Sequence, residues 1–228
     1  MVRSLTSNVD PQTSKFREVS GLLLVNKPEG IPTHSPGDGK EGFVEKLTKE
    51  LQIPLKVCHR LDADTSGAII FGITGDATKK ICALFETHQM VKRYLIVTDR
   101  PKPSEGEMTH RSFIKKYRGR HVSWSKGHEP NSETMFRFLQ ASGRFSLWEA
   151  SPRTGKPHQI RLHGKDLGIP VLGDKMHGGS RFPRLMLHAE SIKFTWEGVE
   201  VIHRVEPPTL FTSELSSCEA IMLNNGLY

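Results

Sequence analysis

His59-Arg60-Leu61-Asp62-Ala63-Asp64-Thr65-Ser66-Gly67 runs directly into Ala68-Ile69-Ile70-Phe71-Gly72-Ile73-Thr74. The second segment is an apolar run of strand length and reads as a buried strand. The first is a polar loop whose Thr-Ser-Gly end signals a turn. Asp62 lies between apolar Leu61 and small Ala63, where a turn can hold a carboxylate open at the mouth of a sheet. Taken alone, an Asp in this position reads first as a turn cap.

Working outward, Asp76 is an expected N-cap for a helix over residues 77–88, and Tyr94-Leu95-Ile96-Val97 is a further strand, so the loop leads into a strand, helix, strand unit. Upstream, residues 21–25 read as a buried strand stopped by Asn26-Lys27-Pro28-Glu29-Gly30. Phe43, Val44, Leu47 and Leu51 recur at helical spacing and predict an amphipathic helix over residues 41–52. Residues 1–20 are rich in Ser, Thr and charge without periodicity, which suits a flexible arm or a strand added late to the core. Strands are expected over residues 112–116, 134–140 and 145–150, in an antiparallel arrangement. Pro157 suits the first turn of a helix running toward Gly168, followed by strands over residues 185–188 and 192–196.

With 228 residues the chain has room for one catalytic unit. Hydrophobic residues at 36%, charged residues at 25%, and 20 Gly with 14 Pro exclude a disordered chain and suit a turn-rich α/β or α+β protein. Lys and Arg number 32 against 25 Asp and Glu, a net charge of +7 that favours polyanions, although such a surplus also serves solubility. Cys58, Cys82 and Cys218 are odd in number and far apart, which suits neither a disulfide framework nor a CxxC site and points to a reducing cytoplasm. Residues 1–20 hold no apolar segment and no run is long enough to cross a membrane, so no membrane association is expected. Eleven histidines raise the question of a metal hydrolase, but His59, His158 and His163 follow neither HExxH nor zinc-finger spacing, and no metal is expected.

The string HRLDADTSG resembles the HRLDxxTSG signature of the RluA family of pseudouridine synthases. Lys92-Arg93-Tyr94-Leu95-Ile96-Val97 and Thr154-Gly155-Lys156-Pro157-His158-Gln159-Ile160-Arg161-Leu162-His163 match further segments in the family's order. Asn26-Lys27-Pro28, Gly173-Asp174 and Arg184-Leu185-Met186-Leu187-His188-Ala189 match more weakly. The resemblance covers about residues 21–196. It implies the pseudouridine synthase fold, an α/β (α+β) architecture with a mixed, largely antiparallel sheet, flanking helices and a central cleft. It also implies isomerisation of uridine in tRNA or rRNA without cofactor or metal, and no protein partner is indicated.

By the same resemblance Asp62 matches the catalytic aspartate, which attacks the ribose or assists elimination through a glycal. Arg161 matches the basic residue that pairs with it, and Tyr94 the tyrosine that stacks on uracil and reaches the carbon losing a proton. Arg60 is similar to the arginine that stabilises a flipped-out nucleotide. His59, Thr65, Lys156, His158, Gln159 and Leu187 lie in the matched segments and are expected at the substrate. Where the family has TGRTHQIR this chain has TGKPHQIR, so Lys156 and Pro157 alter a stretch beside the RNA. Met176-His177-Gly178-Gly179 resembles the tRNA-acting TruC branch.

Only about twenty residues precede the first core strand, so residues 21–228 are expected to form the catalytic domain, with no S4 RNA-binding domain. Phosphate contacts then fall to surface cations, with Lys79, Lys80, Lys92, Arg93, Lys115, Lys116, Arg118 and Arg120 the most clustered. The rival of another class is a noncatalytic RNA-binding protein on the same scaffold, which would tolerate loss of Asp62.

Overall fold

Leu22 and Leu24 with Ala68 and Ile70 belong to one apolar cluster, while Leu23 and Val25 with Ile69 and Phe71 belong to another. Successive side chains of a strand point to opposite faces, so these two strands are covered on both sides and read as unbroken apolar runs. They are β2 (Leu22–Lys27) and β4 (Ser66–Gly72), paired antiparallel, and β4 is buried along its whole length. Helix α1 (Phe43–Leu51) covers one face through Phe43, Val44 and Leu47. Helix α2 (Gly75–Glu86) covers the other through Ala77 and Ile81. Each fully buried Leu or Ile of this kind contributes about 1.5–3 kcal/mol relative to exposure.

The computed structural model describes residues 16–100, 106–212 and 214–226. Besides β2 and β4, the strands are β1 (Arg17–Val19), β3 (Lys56–Val57), β5 (Val91–Thr98), β6 (Glu107–Tyr117), β7 (Arg120–Trp124), β8 (Ser132–Ser142), β9 (Phe145–Pro152), β10 (Leu187–Trp196) and β11 (Val199–Arg204). Helices α3 (Gln159–Asp166) and α4 (Ser217–Asn224) complete the elements. The strands form one sheet in the order β1-β2-β4-β10-β5-β9-β8-β6-β7, with β11 on β10 and β3 on β4. Only β4 and β10 run parallel, so the sheet is mixed and largely antiparallel as expected. A third cluster joins β5 and β9 to Val171, Leu172, Met186, Phe211 and α4.

Several elements differ from the expectation. The hydroxyl of Thr74, not Asp76, caps α2 by accepting from the Ala77 amide at 3.2 Å, which leaves Asp76 in the first turn near the positive helix end. His158 adopts a left-handed backbone at φ 57°, so α3 starts at Gln159 and Pro157 lies outside it. The two short strands expected near 185–196 are one, β10, with an irregularity between Ala189 and Ser191. The arm expected over residues 1–20 ends in β1, paired with β2, while residues 1–15 lie outside the described residues. Strands β7 and β11 and helix α4 had no expectation.

Gly67 is where β4 meets β10. Its φ is +115°, and a Cβ there would come within 2.2 Å of the Ala189 carbonyl oxygen, so only glycine lets the strands close at this point.

Burial in this fold sets an acid limit. It pushes His59 and His163 down to about 3 and His177 and His188 down to about 4. An unfolded imidazole takes its proton near 6.5, so between that pH and the folded values the unfolded chain binds more protons. The stability tied to these neutral rings is whole above about pH 6.5 and is lost as pH falls toward 3–4, at up to about 1.4 kcal/mol per pH unit for each ring. Urea midpoints are therefore expected to fall steadily from pH 7 to pH 5. An unchanged midpoint across that interval would contradict the neutral assignment.

Candidate active site

Asp62 sits in the loop between β3 and β4, and the residues on both sides of it are pinned. The Thr33 hydroxyl donates to the Leu61 carbonyl at 2.9 Å and accepts from the Leu61 amide at 3.1 Å. Lys27, with no exposed surface, donates from Nζ to the carbonyls of Ala63, Pro28 and Ile31 at 2.9, 2.8 and 2.7 Å. The Thr65 amide closes the turn on the Asp62 carbonyl at 3.1 Å. The carboxylate is thereby carried on a backbone that cannot swing, which is the positional accuracy a catalytic group needs. Burial pushes Lys27 down to about 8 despite the nearby Asp64 and Asp62.

Arg161 reaches this loop from α3, its Nη1 donating to Asp62 Oδ2 at 2.9 Å. The other side of the same guanidinium grips Asp174, Nε to Oδ2 at 2.7 Å and Nη2 to Oδ1 at 2.8 Å. Asp174 Oδ1 also accepts from the amides of Met176 and His177 at 2.9 and 3.0 Å. Burial opposes both charges, but for Arg161 the hydrogen bonds and charge of Asp174, then of Asp62, prevail and raise its pKa. The same contact outweighs burial at Asp174 and lowers its carboxyl below the usual range. Gly173, at φ +82°, would drive a Cβ to within 1.9 Å of the Arg184 carbonyl oxygen, so the chain turns tightly just before Asp174.

Asp62, Arg161, Tyr94 and Leu187 line one cavity of about 90 Å³, and Thr65 closes it. The Thr65 hydroxyl is buried and has no hydrogen-bond partner among the described residues. Burial, and secondarily the charge of Asp62, raises the Tyr94 hydroxyl, so the phenol stays protonated. The cavity adjoins a groove of about 1060 Å³ that also exposes Asp62 and is walled by Arg60, His59, Lys116 and His121 among others. Arg60 makes no ion pair among the described residues and borders both spaces.

The other expected site residues divide by what holds them. Lys156 and His158 line the groove, and His158 Nδ1 is hydrogen-bonded to His177 Nε2 at 2.9 Å. His59 borders the groove, yet its Nε2 accepts from the Ile70 amide at 2.9 Å and its ring stacks on Phe85 at 4.3 Å. Gln159 is turned inward, its amide nitrogen donating to the Glu133 carbonyl and its oxygen accepting from the Lys156 amide and the Thr154 hydroxyl. It orders the 154–158 turn. Lys92 is not a free surface cation: Nζ donates to the Thr154 carbonyl at 2.9 Å, and burial pushes it down to about 8.

Three residues at the centre carried no assigned role in the sequence reading: Asp174, Lys27 and His177. Asp174 and Lys27 lay in recognised segments, Gly173-Asp174 and Asn26-Lys27-Pro28, but nothing in their spacing shows that one grips Arg161 or that the other is buried. His177 was visible only as part of the 176–179 pattern.

A loop-borne aspartate held by a buried arginine, over a cavity with a tyrosine wall and beside a long groove, needs no redox group to act on a glycosidic bond. This mixed sheet is that of a class of enzymes that isomerise uridine to pseudouridine in RNA. The chain belongs to the RNA pseudouridylate synthase family, whose model matches residues 21–165. It is 31% identical over 183 residues to an uncharacterized RNA pseudouridine synthase of Haemophilus influenzae, covering 78% of this chain and 80% of that one. It is 30% identical to the ribosomal large subunit pseudouridine synthase C of Vibrio vulnificus over 82% of this chain and 62% of that one, so it spans about three fifths of that relative's length. The human RNA pseudouridylate synthase domain containing 1 superposes with a TM-score of 0.74 at 22% identity, covering 93% of this chain and 90% of that one. That likeness concerns the fold. Among the described residues, no helix is long and apolar enough to cross a membrane.

Proposed function

We propose that Asp62 is the carboxylate that acts at the ribose of a target uridine, with Arg161 orienting it and Tyr94 forming the wall against which the base lies. Isomerisation breaks the bond from C1′ to N1, turns the uracil, and makes the bond from C1′ to C5. The proton leaving C5 balances the one that N1 gains. Attack on C1′ and assisted elimination through a glycal both use the same carboxylate. The observation that carries this reading is the 2.9 Å contact between Arg161 Nη1 and Asp62 Oδ2 at the edge of a cavity shared with Tyr94. Arg60, unpaired among the described residues and bordering both groove and cavity, is suited to fill the space left by an everted nucleotide.

Ribosomal RNA is the favoured substrate, because a relative of 30% identity carries the name of a large-subunit ribosomal enzyme. The 176–179 pattern, whose His177 is bonded to His158 at the groove, favours tRNA as the second reading. Mapping of pseudouridine in rRNA and tRNA from cells with and without the protein decides between them, and unchanged maps in both pools would remove the catalytic reading.

Tyr94 gives a finer test, by tritium release from RNA labelled at C5 of uridine. A phenol that relays the C5 proton, its oxygen taking that proton as its own O–H proton passes to water in the adjoining groove, predicts that Tyr94→Phe keeps KM within a few fold while kcat falls roughly a hundredfold. Wild-type kcat in Tyr94→Phe would leave the ring with stacking alone.

A further inference from the structure

Strand β6 pairs with β8 over Glu107–Ser112 and with β7 over Phe113–Tyr117, so its second half leaves the main sheet as a two-stranded ribbon. The register gives the ribbon two distinct faces. Ile114 with Ser123 and Lys116 with His121 share one face, while Phe113 with Trp124, Lys115 with Val122 and Tyr117 with Arg120 share the other. The first face turns inward: Lys116 and His121 wall the groove, the Ser123 hydroxyl donates to Asp166 of α3 at 2.6 Å, and the His121 ring lies 5.3 Å from that of His158. The second face therefore points away from α3 and the cleft.

That outer face is aromatic and cationic. Tyr117 is 53% exposed, with the Arg118 guanidinium 5.4 Å from its ring centroid and Trp124 edge-on to it at 6.1 Å. Phe113 lies 6.3 Å from Trp124 and stacks on His128 at 4.8 Å. Residues 113–128 contain Lys115, Lys116, Arg118, Arg120 and Lys126 and no Asp or Glu, in a chain whose whole net charge is +7. Among the described residues none of these five cations makes an ion pair, whereas many of the chain's other cations do. Nothing in the cleft chemistry uses Tyr117 or Trp124.

We propose that the outer face of this ribbon is a second RNA site, outside the catalytic cleft, that takes consecutive unpaired nucleotides of the substrate strand. Their bases stack on Tyr117 and Trp124, and the intervening phosphates meet Lys115, Arg118 and Arg120. The inference rests on the RNA reading of the cleft and extends it to a surface on the other side of one wall. Base stacking on rings that reach solvent, here the exposed Tyr117 and the half-buried Trp124, inside a field of unpaired cations is how single strands are held without sequence readout. The ribbon's anchoring to α3 through Ser123 and Asp166 fixes this site relative to Arg161, so a strand gripped there is measured against the cavity.

The test is titration of the full chain with a labelled twelve-nucleotide oligoadenylate, which offers the cavity no uridine, at a series of salt concentrations. Tyr117→Ala is expected to weaken binding roughly tenfold and Tyr117→Phe to restore it. Lys115→Ser with Arg120→Ser is expected to reduce the slope of log affinity against log salt by about 1.4. Trp148 and Trp196 are buried, so quenching of tryptophan emission by the oligonucleotide reports Trp124 and is expected to vanish in Trp124→Phe. Unaltered affinity and slope in both the Tyr117 and the double-cation variants would overturn the proposal. So would salt-independent pairing of β7 with a second copy of the chain. Full turnover by Asp62→Asn would instead remove Asp62 from the proposed cleft chemistry and leave oligoadenylate binding untouched, so the two failures are distinguishable.

Discussion

Asp62→Asn is expected to abolish tritium release from C5-labelled uridine RNA, lowering turnover by roughly four orders of magnitude or more. The substitution keeps the side-chain shape and leaves the backbone clamps on Leu61 and Ala63 in place, because Thr33 and Lys27 bind main-chain atoms. Arg161 retains both bonds to Asp174, so the guanidinium is not left unpaired. The loss in stability is therefore limited to one charge-assisted contact at a partly exposed group, about 2 kcal/mol or less. What disappears is the anionic oxygen at the edge of the cavity, the group proposed to act on the ribose. An Asp62→Asn protein that folds, binds RNA and still releases tritium would remove Asp62 from the chemistry. The isomerisation would then have to be assigned to another group of the cleft, whereas a wild-type protein that releases no tritium from any RNA would favour the rival in which the scaffold binds RNA without modifying it.

The stretch from Arg60 to Thr74 was legible because its two halves carry independent local signals, a turn and a doubly covered strand, and because the motif spans both. Asp62, Tyr94 and Arg161 come from a loop, a strand and a helix far apart in the chain, and their joining around one cavity followed only from the resemblance. Local rules failed where a tertiary contact overrode them. Asp76 had the better cap composition, yet Thr74 sits where the chain leaves β4 and its hydroxyl reaches the Ala77 amide first. Pro157 suited a helix start, but His158 turns left-handed to meet His177, a residue nineteen positions on. Strand β7 was hidden because Arg120–Trp124 is short, partly exposed and polar, and gains its partner only by the departure of β6 from the main sheet. Burial of Lys27 could not be read from composition, since a lysine after Asn26 and before a proline looks like a solvated turn residue.

Asp174→Ala is expected to destabilise the fold by about 3–5 kcal/mol, the cost of leaving a buried guanidinium without its main counterion. Asp174 is 1% exposed and accepts four hydrogen bonds, two from Arg161 and two from the amides of Met176 and His177. Arg161 would keep only Asp62, which is 27% exposed and cannot replace a bidentate partner. Thermal and urea unfolding read the stability, and a loss under about 1 kcal/mol would mean that the pair is not the buried anchor described here. Should Asp174→Ala fail to fold, Asp174→Asn keeps a side-chain oxygen to accept from the Met176 and His177 amides while removing the charge. Joint replacement, Asp174→Leu with Arg161→Met, removes both charges together and is expected to regain part of the lost stability, because no buried ion is left without a partner, although the Met176 and His177 amides lose their acceptor. Turnover, however, is expected to stay absent in the joint variant, since Asp62 then faces the cavity with no guanidinium to orient it. Stability that returns without activity would separate the two duties of Arg161, one toward the core through Asp174 and one toward the ribose through Asp62. Activity returning with stability would show that the pair serves folding alone.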